Sequence, residues 1–600
     1  MTLSTVIHEN GDEAARKAMT DLFRDEIFRP REGLTHDERC RLAYERMRYL
    51  GDNLPGATAL LKDPRTLVTL LETAAVVSPS VFLALTIHCC LSVNAIQEFG
   101  AGRDDLAEYL DEVDTMASIG TLVVTELGHG NSHSAIRTEA RYDRSAREFV
   151  LGTPDPGARK FMSNNGLAGV AKIGVVYARL IVGEADHGVF GFVVRLRDAK
   201  GSPPGIRIRP LPETPFLELD YSVVEFDGAR VPKNSLLHDS ATLTADGVFD
   251  DPLGDPAARL QRSLTVRENA WVASAAALAA VSRASVAIAV RHACHRITRS
   301  RVSAERPVLE FRIQQRALFG ALSAAYATTC LVNRIKRAWI GTMSGESAPD
   351  GLFSLGRTRG LAKAAACRTA GRVTTECGLR GGAHGMFSAN RIVDYHGLAH
   401  MLNPAAGDSH LILLEAGRAL AAEEQYRPPS AVEPTGRELA DPRLWAELAD
   451  TRERLLHDQL TSELDLARRR GQSPFDGWNN RQPLGLDLAD AHIHRLEMLC
   501  LTEVAEAVSD HRVRAALTPL IALYALEKIQ RELGWFLARK LLTPEQANAL
   551  PGLLNRFCEE LVPHALDLVD AFELPAELLH APINEADYLA AYARDGGPYA

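Results

Sequence analysis

The sequence predicts a mainly helical protein with a central β-domain. Apolar residues recur at helical spacing through the first 120 residues, move toward alternation from 121 to 240, and return to helical spacing beyond 257. A chain of 600 residues also exceeds one hydrophobic core. We therefore expect an N-terminal helical domain (1–120), a β-domain (121–240), a helical bundle (257–425) and a C-terminal helical domain (435–600).

Composition and charge narrow the classes of partner. Hydrophobic residues make up 46% of the chain and charged residues 24%, which is ordinary for a globular protein. The net charge of -10 and the pI near 6.0 disfavour a nucleic acid or an anionic membrane as partner. The nine cysteines form no C-x-x-C pair, so we expect reduced thiols, and no metal site is predicted.

The ends of the chain and its hydropathy bear on location. The N-terminus lacks the apolar core of a signal peptide, and no apolar run is expected to span a membrane. The last residues, Gly597 to Ala600, do not form the S-K-L peroxisomal address. These observations predict a cytoplasmic protein.

In the N-terminal domain, two stretches have apolar residues at helical spacing, Ala57 to Leu71 and Val81 to Ile96. Proline residues bound or break both stretches. In the β-domain, short alternating segments separated by Gly, Pro and Asp predict strands. These segments are 147–151, 173–181, 189–194 and 223–226. The stretch Asp239 to Pro256 is rich in Asp, Gly and Pro and is predicted to be a loop between domains.

Four helices are predicted in the bundle. The first, Leu264 to Arg296, has few polar interruptions, which indicates burial in a core or at a subunit interface. The others are predicted at 308–334, 361–379 and 407–424. A proline-containing linker, Pro428 to Pro434, precedes the C-terminal helical domain.

The segment T-E-L-G-H-G-N-S, Thr125 to Ser132, is the first candidate for a ligand site. The glycines Gly128 and Gly130 allow a tight turn and a close approach of the backbone to a ligand. Thr125, Asn131 and Ser132 add small hydrogen-bonding side chains. The same pattern is also typical of a simple turn.

Three motifs in order relate this segment to a family. T-E-L-G-H-G resembles the flavin-contacting loop of the acyl-CoA oxidases, a branch of the acyl-CoA dehydrogenase superfamily. K-F-M-S-N-N-G, at 160–166, resembles the superfamily's K-x-W-I-T-N-G strand, and F-D-G-A-R-V-P, at 226–232, resembles its F-D-x-x-R-V-P signature. Helical segments near the C-terminus resemble the extra domain of the oxidases. The resemblance therefore covers nearly the whole chain and implies the acyl-CoA oxidase architecture.

The resemblance implies FAD as cofactor and assigns residues to it. The loop would face the flavin ring, and the strand would lie over its other side, with Met162 in place of the family's tryptophan and Asn164 in place of its threonine. The residues implied to contact FAD are Thr125, Gly128, Gly130, Asn131, Ser132, Met162, Asn164, Arg296, Gln314, Gln315, Gly381 and Gly382.

Arg296 matches the arginine of the R-x-x-F motif, which reaches the pyrophosphate of the other subunit's FAD, so a homodimer is implied. The G-G-x-G turn, which also touches that flavin, is G-A-H-G here, with Ala383 for its second glycine. Gly381, one residue earlier, is a possible compensation, and His384 occupies the variable position.

The chain departs from the family at the general base. The oxidases' F-E-G-E-N-T segment reads A-A-G-D-S-H here, and Ala406 stands where the proton-abstracting glutamate is expected. Two carboxylates are candidate substitutes. Asp408 is two residues along the chain, with helix capping as its alternative role. Glu268 lies near the start of the long helix, with a helix-dipole interaction as its alternative.

These observations predict an FAD-dependent enzyme that oxidises an acyl thioester on CoA or on an acyl-carrier protein. Molecular oxygen is the expected electron acceptor, and the enzyme is expected to be specialised because Ala406 replaces the base. Two alternatives stay open: a flavin-dependent monooxygenase or another specialised oxidation on this fold, and a non-catalytic partner subunit.

Overall fold

The structure, a computed structural model, describes residues 2–9, 13–345, 353, 356–430 and 436–594. Part of the predicted linker, 431–434, and the C-terminal residues 597–600 lie outside the described residues. The α-helices in chain order are α1 Leu3–His8, α2 Glu13–Phe23, α3 His36–Asn53, α4 Ala57–Lys62, α5 Pro64–Val77, α6 Pro79–Leu85, α7 Asn94–Phe99, α8 Ala107–Asp114, α9 Pro256–Ser263, α10 Arg267–His295, α11 Arg312–Met343, α12 Gly356–Gly381, α13 Ile392–Leu402, α14 Ser409–Ala421, α15 Pro442–Arg469, α16 Pro474–Asn479, α17 Gln482–Ala507, α18 His511–Arg531, α19 Leu533–Ala538, α20 Pro544–Leu561, α21 Ala565–Asp570, α22 Ala576–Leu579 and α23 Tyr588–Ala593.

The strands in chain order are β1 Ile119–Val123, β2 Glu139–Asp143, β3 Glu148–Gly152, β4 Lys160–Asn164, β5 Lys172–Val182, β6 Ala185–Arg197, β7 Ile206–Pro210, β8 Tyr221–Pro232, β9 Leu236–Leu237, β10 Thr242–Leu243, β11 Phe249–Asp250, β12 Ile297–Ser300 and β13 Ser303–Pro307. The chain divides into two compact units. We call Ala18–Ala273 the β-containing unit, and Met1–Lys17 with Ser274–Ala600 the helical unit. The four predicted domain ranges remain a proposal.

In the β-containing unit, a mixed sheet has the strand order β4-β8-β3-β2-β5-β6-β9, with β1 beside β5 and β7 beside β8. β1 and β2 run parallel to β5, and the other pairs are antiparallel. Its core is apolar and aromatic, with the rings of Phe149 and Phe192 5.1 Å apart in an edge-to-face arrangement. All the predicted strands are present.

Helix starts in this unit follow local chemistry. Thr35 and Glu38 form a reciprocal capping box at the start of α3. Pro64 begins α5, and the Asp63 side chain accepts a hydrogen bond from the Thr66 amide, so the stretch Ala57 to Leu71 breaks at this proline. A π-helical segment, Thr86–Val93, joins α6 to α7. The predicted loop 239–256 contains the short β10–β11 pair. This pair was not predicted, because the segment is rich in residues typical of turns.

In the helical unit, α11 packs on α12, α17 and α18, and α12 packs on α13 and α14. The four predicted bundle helices correspond to α10, α11, α12 and α14. The predictions missed α13 and the β12–β13 hairpin between α10 and α11. Residues of α10 are buried on all sides, and Ser282 and Ser285 donate their hydroxyl hydrogen bonds to carbonyls within the helix. The polar hydroxyls of this helix are therefore satisfied in an apolar interior.

Two helical stretches are long and apolar enough to cross a membrane by length and composition, contrary to the sequence-based expectation. They are Pro79–Phe99 and Pro256–His295. In the apolar windows, 89% and 100% of the residues are buried inside the protein, as in the core helices of globular proteins. This finding is weak support for a membrane span.

Candidate functional site

The Gly-rich segment Thr125–Ser132 follows β1 and is held beside β4 by backbone hydrogen bonds. The Phe161 amide donates to the Thr125 carbonyl at 3.0 Å, and the Leu127 amide donates to the Arg159 carbonyl at 2.9 Å. The two motifs that resemble flavin-contacting elements are therefore neighbours in space. This is the arrangement that one planar ligand lying against both would need.

A buried ion pair braces the junction of these two segments. The Lys160 ammonium donates to Glu126 Oε1 at 3.2 Å and to the Val124 carbonyl at 2.9 Å, and both charged side chains are fully buried. Glu126 also accepts hydrogen bonds from the Arg137 and Thr138 amides and the Thr138 hydroxyl. A buried carboxylate with this many donors fixes the loop in one conformation.

Burial lowers the pKa of Lys160 to about 8, although Glu126 opposes that change. Burial acts to raise the pKa of Glu126, but the Lys160 ammonium and the donors from Thr138 and Arg137 hold it below its ordinary value. Sequence reasoning missed Glu126 as a functional residue. Its signal was present, because an acidic residue inside an apolar segment requires a cationic partner, and Lys160 begins the next motif.

The predicted loop residues play different parts. The Gly128 amide donates to the Gly157 carbonyl at 2.8 Å, and a Cβ at Gly128 would lie 3.1 Å from the Gly157 Cα. Gly128 is therefore required by the approach of two backbone segments. A Cβ at Gly130 would meet open space, and Asn131 has a φ of 61°. The Ser132 amide donates to the His129 carbonyl at 3.2 Å, and the Thr125 side chain is half-buried.

Strand β4 contains a bulge at Met162. Its φ is 66°, and the register of β4 against β8 shifts between Phe161 and Ser163. The bulge leaves the Met162 side chain 38% exposed. Asn164 is instead enclosed: its side-chain carbonyl accepts from the Thr121 hydroxyl at 2.7 Å, and its amide donates to the Tyr44 hydroxyl at 3.1 Å. Met162 is therefore placed to touch a ligand, and Asn164 is committed to contacts within the protein.

The second group of predicted residues lies in the helical unit. Gly382 has a φ of 62°, and a Cβ there would lie 3.6 Å from Arg296 Nη1. The backbone at Gly382, which has no side chain, therefore lies next to the Arg296 guanidinium. This combination is suited to binding an anion. Gly381 ends α12, where a Cβ would approach only Ile583 at 4.0 Å. None of the described residues near Gly381 would clash with a Cβ at this position.

The two glutamines predicted to contact FAD, Gln314 and Gln315, differ in their hydrogen bonding. Gln315 is buried, and its side-chain oxygen accepts from Arg312 Nη1 at 2.7 Å. The Gln314 Oε1 atom is enclosed and has no hydrogen-bond partner among the residues that the structure describes. An enclosed acceptor without a donor is costly in a protein interior. Gln314 is thus the glutamine suited to meet a ligand.

The segment at Ala406 is held by a buried lysine that sequence reasoning did not single out. Lys363 Nζ donates to the Ala405 and Gly407 carbonyls at 2.9 and 2.7 Å, and its side chain is fully buried. Two further oxygens, the Asn403 carbonyl and the Ser409 hydroxyl, lie at 3.3 and 3.1 Å. Between these carbonyls Ala406 adopts a φ of 52°. These four oxygen acceptors around the Lys363 ammonium therefore fix the conformation of the loop that contains Ala406.

The two candidate bases lie at helix starts. The Asp408 side chain accepts from the His410 amide at 2.8 Å and caps α14, which is the alternative role given to it above. Glu268 is half-buried in the first turn of α10, and its amide donates to the Thr265 carbonyl. Asp408 is in the helical unit, and Glu268 is in the β-containing unit.

The residues present fit a flavin nucleotide. The exposed Met162 bulge beside the Thr125–Ser132 loop suits an aromatic ring, and the Arg296–Gly382 pair suits a pyrophosphate. The unpartnered acceptor of Gln314 suits a donor on the nucleotide. Each of these features lies within a single unit, and each is of a kind that flavoproteins use.

Comparison with known proteins identifies the family. The acyl-CoA oxidase C-alpha1 domain matches residues 265–421, and the acyl-CoA oxidase family matches residues 442–587. The Arabidopsis thaliana peroxisomal acyl-coenzyme A oxidase 3 is 26% identical over 85% of this chain and 78% of its own length. The human peroxisomal acyl-coenzyme A oxidase 3 is 27% identical over 88% of this chain and 81% of its own.

Solved structures agree on the fold. Acyl-CoA oxidase 1 from Yarrowia lipolytica matches with a TM-score of 0.86 at 21% identity, covering 99% of this chain and 93% of that chain. Acyl-CoA oxidase 2 from Caenorhabditis elegans, solved with FAD, ascaroside-CoA and ATP, matches with a TM-score of 0.84 at 20% identity, covering 98% and 90%. The chain belongs to the acyl-CoA oxidase family, within the acyl-CoA dehydrogenase superfamily.

Family membership confirms the predicted fold and the prediction of an oxidoreductase, and FAD is the cofactor of this family. The prediction of a cytoplasmic location is wrong. Relatives from Arabidopsis thaliana and Homo sapiens are peroxisomal acyl-CoA oxidases, which points to the peroxisome. The absent S-K-L address was an insufficient basis for the prediction, because it tests only one targeting signal.

Proposed function

We propose that the chain binds FAD and oxidises an acyl thioester carried by CoA or by an acyl-carrier protein. The observation that carries this proposal is the contact between the Thr125–Ser132 loop and β4, braced by the buried Glu126–Lys160 pair. Such a brace holds both motifs at fixed positions before a cofactor binds. Preorganised contacts reduce the entropy that binding costs.

The geometry supports the following proposed cofactor contacts. Thr125, Gly130, Asn131, Ser132 and Met162 are proposed to surround the flavin ring. Gly128 and Asn164 are proposed to shape that surface from behind, since their polar groups are engaged within the protein.

In the helical unit, Arg296, Gly382 and Gln314 are proposed to hold the pyrophosphate and adenosine of the FAD bound mainly by the other subunit. Gln315 and Gly381 are proposed to support them. We therefore propose a homodimer, since in this arrangement each flavin needs residues from two chains.

Oxidation of a saturated acyl thioester removes a proton from Cα and a hydride from Cβ. FAD supplies the hydride acceptor, and molecular oxygen is proposed to reoxidise it to form hydrogen peroxide. The proton requires a base, and a positioned base typically contributes 10²–10⁴ in rate. Ala406 has no proton acceptor, so ordinary desaturation is proposed to be slow unless Glu268 or Asp408 accepts the proton.

The alanine at 406 also favours a second candidate function. A flavin monooxygenase takes two electrons from an external reductant and places one atom of molecular oxygen in the substrate, while the other atom leaves as water. It does not need to abstract the Cα proton. The products distinguish the two functions: the oxidase forms one hydrogen peroxide per thioester oxidised, and the monooxygenase forms an oxygenated product.

The decisive experiment is anaerobic flavin bleaching with a panel of acyl thioesters, after reconstitution with FAD and gel filtration. We expect about one FAD per chain, a dimer, and bleaching by at least one specialised thioester. A protein that remains colourless after reconstitution would refute the proposed function. A yellow protein that no thioester bleaches would refute the oxidase form of it.

A further inference from the structure

The last described helix, α23, lies on the G-A-H-G turn of the proposed cofactor site. His384 Nδ1 is 2.9 Å from the Tyr592 hydroxyl, and the two rings stack with their centroids 5.6 Å apart. Asn390 Nδ2 donates to the same hydroxyl at 2.6 Å and to the His384 carbonyl at 2.8 Å. One asparagine therefore ties the turn to the C-terminal helix.

A third contact fixes the orientation of the Asn390 amide. The Asn390 side-chain oxygen accepts from the Ile583 amide at 3.3 Å, which assigns the amide nitrogen to the side facing Tyr592. The Tyr592 oxygen accepts from that nitrogen, and its hydroxyl lies within donating distance of His384 Nδ1, at 2.9 Å. An imidazole that accepts at Nδ1 carries its proton at Nε2. In that arrangement His384 presents Nε2–H as a donor.

His384 is also kept neutral. Burial and the neighbouring Arg296 guanidinium lower the pKa of His384. Behind it, His292 is 2% exposed, and neither of its ring nitrogens has a hydrogen-bond partner among the described residues. Burial, His384 and Arg296 lower the pKa of His292 to about 4. The His292 and His384 rings are 5.6 Å apart.

We infer that Asn390 and Tyr592 are positioning residues that set the tautomer of His384, so that its Nε2–H donates to the FAD pyrophosphate beside Arg296. The inference rests on the proposed function. It makes the C-terminal helix part of the cofactor site, although Tyr592 does not touch the cofactor. A neutral donor next to a guanidinium adds a hydrogen bond without the repulsion of a second positive charge.

The test is FAD affinity of the apoprotein, followed by the quenching of flavin fluorescence. Tyr592→Phe keeps the stacked ring and removes the hydroxyl. A misdirected hydrogen bond to a charged group costs about 1–2 kcal/mol, so we expect the Kd for FAD to rise roughly fivefold to thirtyfold. Tyr109→Phe, the same change in the β-containing unit, is the control and is expected to stay within about twofold of the parent.

A double-mutant cycle separates tautomer control from general support. His384→Gln provides an amide N–H that does not depend on Tyr592, so Tyr592→Phe is expected to have no further effect on the Kd in that background. An equal rise in both backgrounds would show that Tyr592 acts through general support, which overturns the inference.

The pH profile supplies a second readout. In the parent, FAD affinity is expected to show no step near pH 6.5, because His384 stays neutral. In Tyr592→Phe, Nδ1 loses the hydroxyl donor and can take a proton, so FAD affinity is expected to gain a pH dependence that the parent lacks. If the parent binds FAD and Tyr592→Phe changes neither Kd nor pH profile, the inference is wrong while the proposed function stands. If the folded parent does not bind FAD, both are wrong.

Discussion

Replacing Lys363 by methionine tests whether this buried lysine sets the conformation of the Ala406 loop. Its ammonium has three N–H groups facing four oxygens at 2.7–3.3 Å. Hydrogen bonds from a charged donor contribute about 1.5–3 kcal/mol each, so three total roughly 4.5–9 kcal/mol. Removing the ammonium from water offsets several kcal/mol of that sum. We expect Lys363→Met to destabilise the helical unit by about 2–4 kcal/mol.

The assay is urea unfolding followed by circular dichroism. For a denaturant slope of about 3 kcal/mol/M, the expected loss lowers the urea midpoint by about 1 M. Lys200→Met, the same substitution at an exposed position, is the control and is expected to leave the midpoint unchanged. A Lys363→Met protein with the midpoint of the control would refute the role assigned to Lys363.

Three further predictions concern the cofactor site and acid stability. Arg296→Ala is expected to lose FAD during gel filtration, since a charge-assisted phosphate contact contributes about 1.5–3 kcal/mol. Arg299→Ala, at an exposed position of β12, is the control and is expected to retain FAD. Glu126→Gln leaves the Lys160 ammonium buried without a carboxylate and is expected to lower the thermal midpoint by an amount equivalent to about 3–5 kcal/mol. His88→Asn is expected to reduce the loss of stability between pH 6.5 and 4, measured by urea unfolding at several pH values.

The sign of the His88 effect follows from its environment. His88 is fully buried and accepts the Gly120 amide at Nδ1 at 2.8 Å, and burial lowers its pKa from 6.5 to about 4. Below pH 6.5, His88 binds a proton in the unfolded chain but not in the folded chain. The free energy of unfolding therefore falls as the pH falls, by about 3 kcal/mol at most. Asparagine keeps an acceptor for Gly120 and does not titrate. Equal acid sensitivity in parent and variant would contradict this account.

For Glu126→Gln the matched control is Glu184→Gln, which changes an exposed glutamate. It is expected to leave the thermal midpoint within about 1 °C of the parent. For Arg296, retention of FAD equal to that of Arg299→Ala would exclude the pyrophosphate contact.

Periodicity predicted the fold well where one face of an element meets a core. The strands around Phe149 and Phe192 and the all-apolar helix α10 were readable because burial determines their residue pattern. The β12–β13 hairpin was missed because its residues are mostly exposed or half-buried, and no alternation of apolar residues identifies it.

The site was predictable only in part. Short motifs placed Thr125–Ser132 and β4, but the bulge that exposes Met162 depends on the pairing with β8 and has no local signal. The Lys363 contacts come from a loop about 40 residues away, and a lone lysine in a helix reads as an exposed charge. Long-range polar contacts of this kind have no periodicity in the sequence.

The central claim is that this acyl-CoA oxidase-type protein lacks the usual base at position 406. The most direct measurement is the anaerobic rate of flavin reduction by a saturated straight-chain acyl-CoA, for the parent and for Ala406→Glu, with fold and flavin content checked in both. We predict a slow rate for the parent and a rate raised by at least about 10² in the variant, because a positioned base contributes that much. Rapid reduction by the parent, unchanged in Glu268→Gln and in Asp408→Asn, would contradict the account.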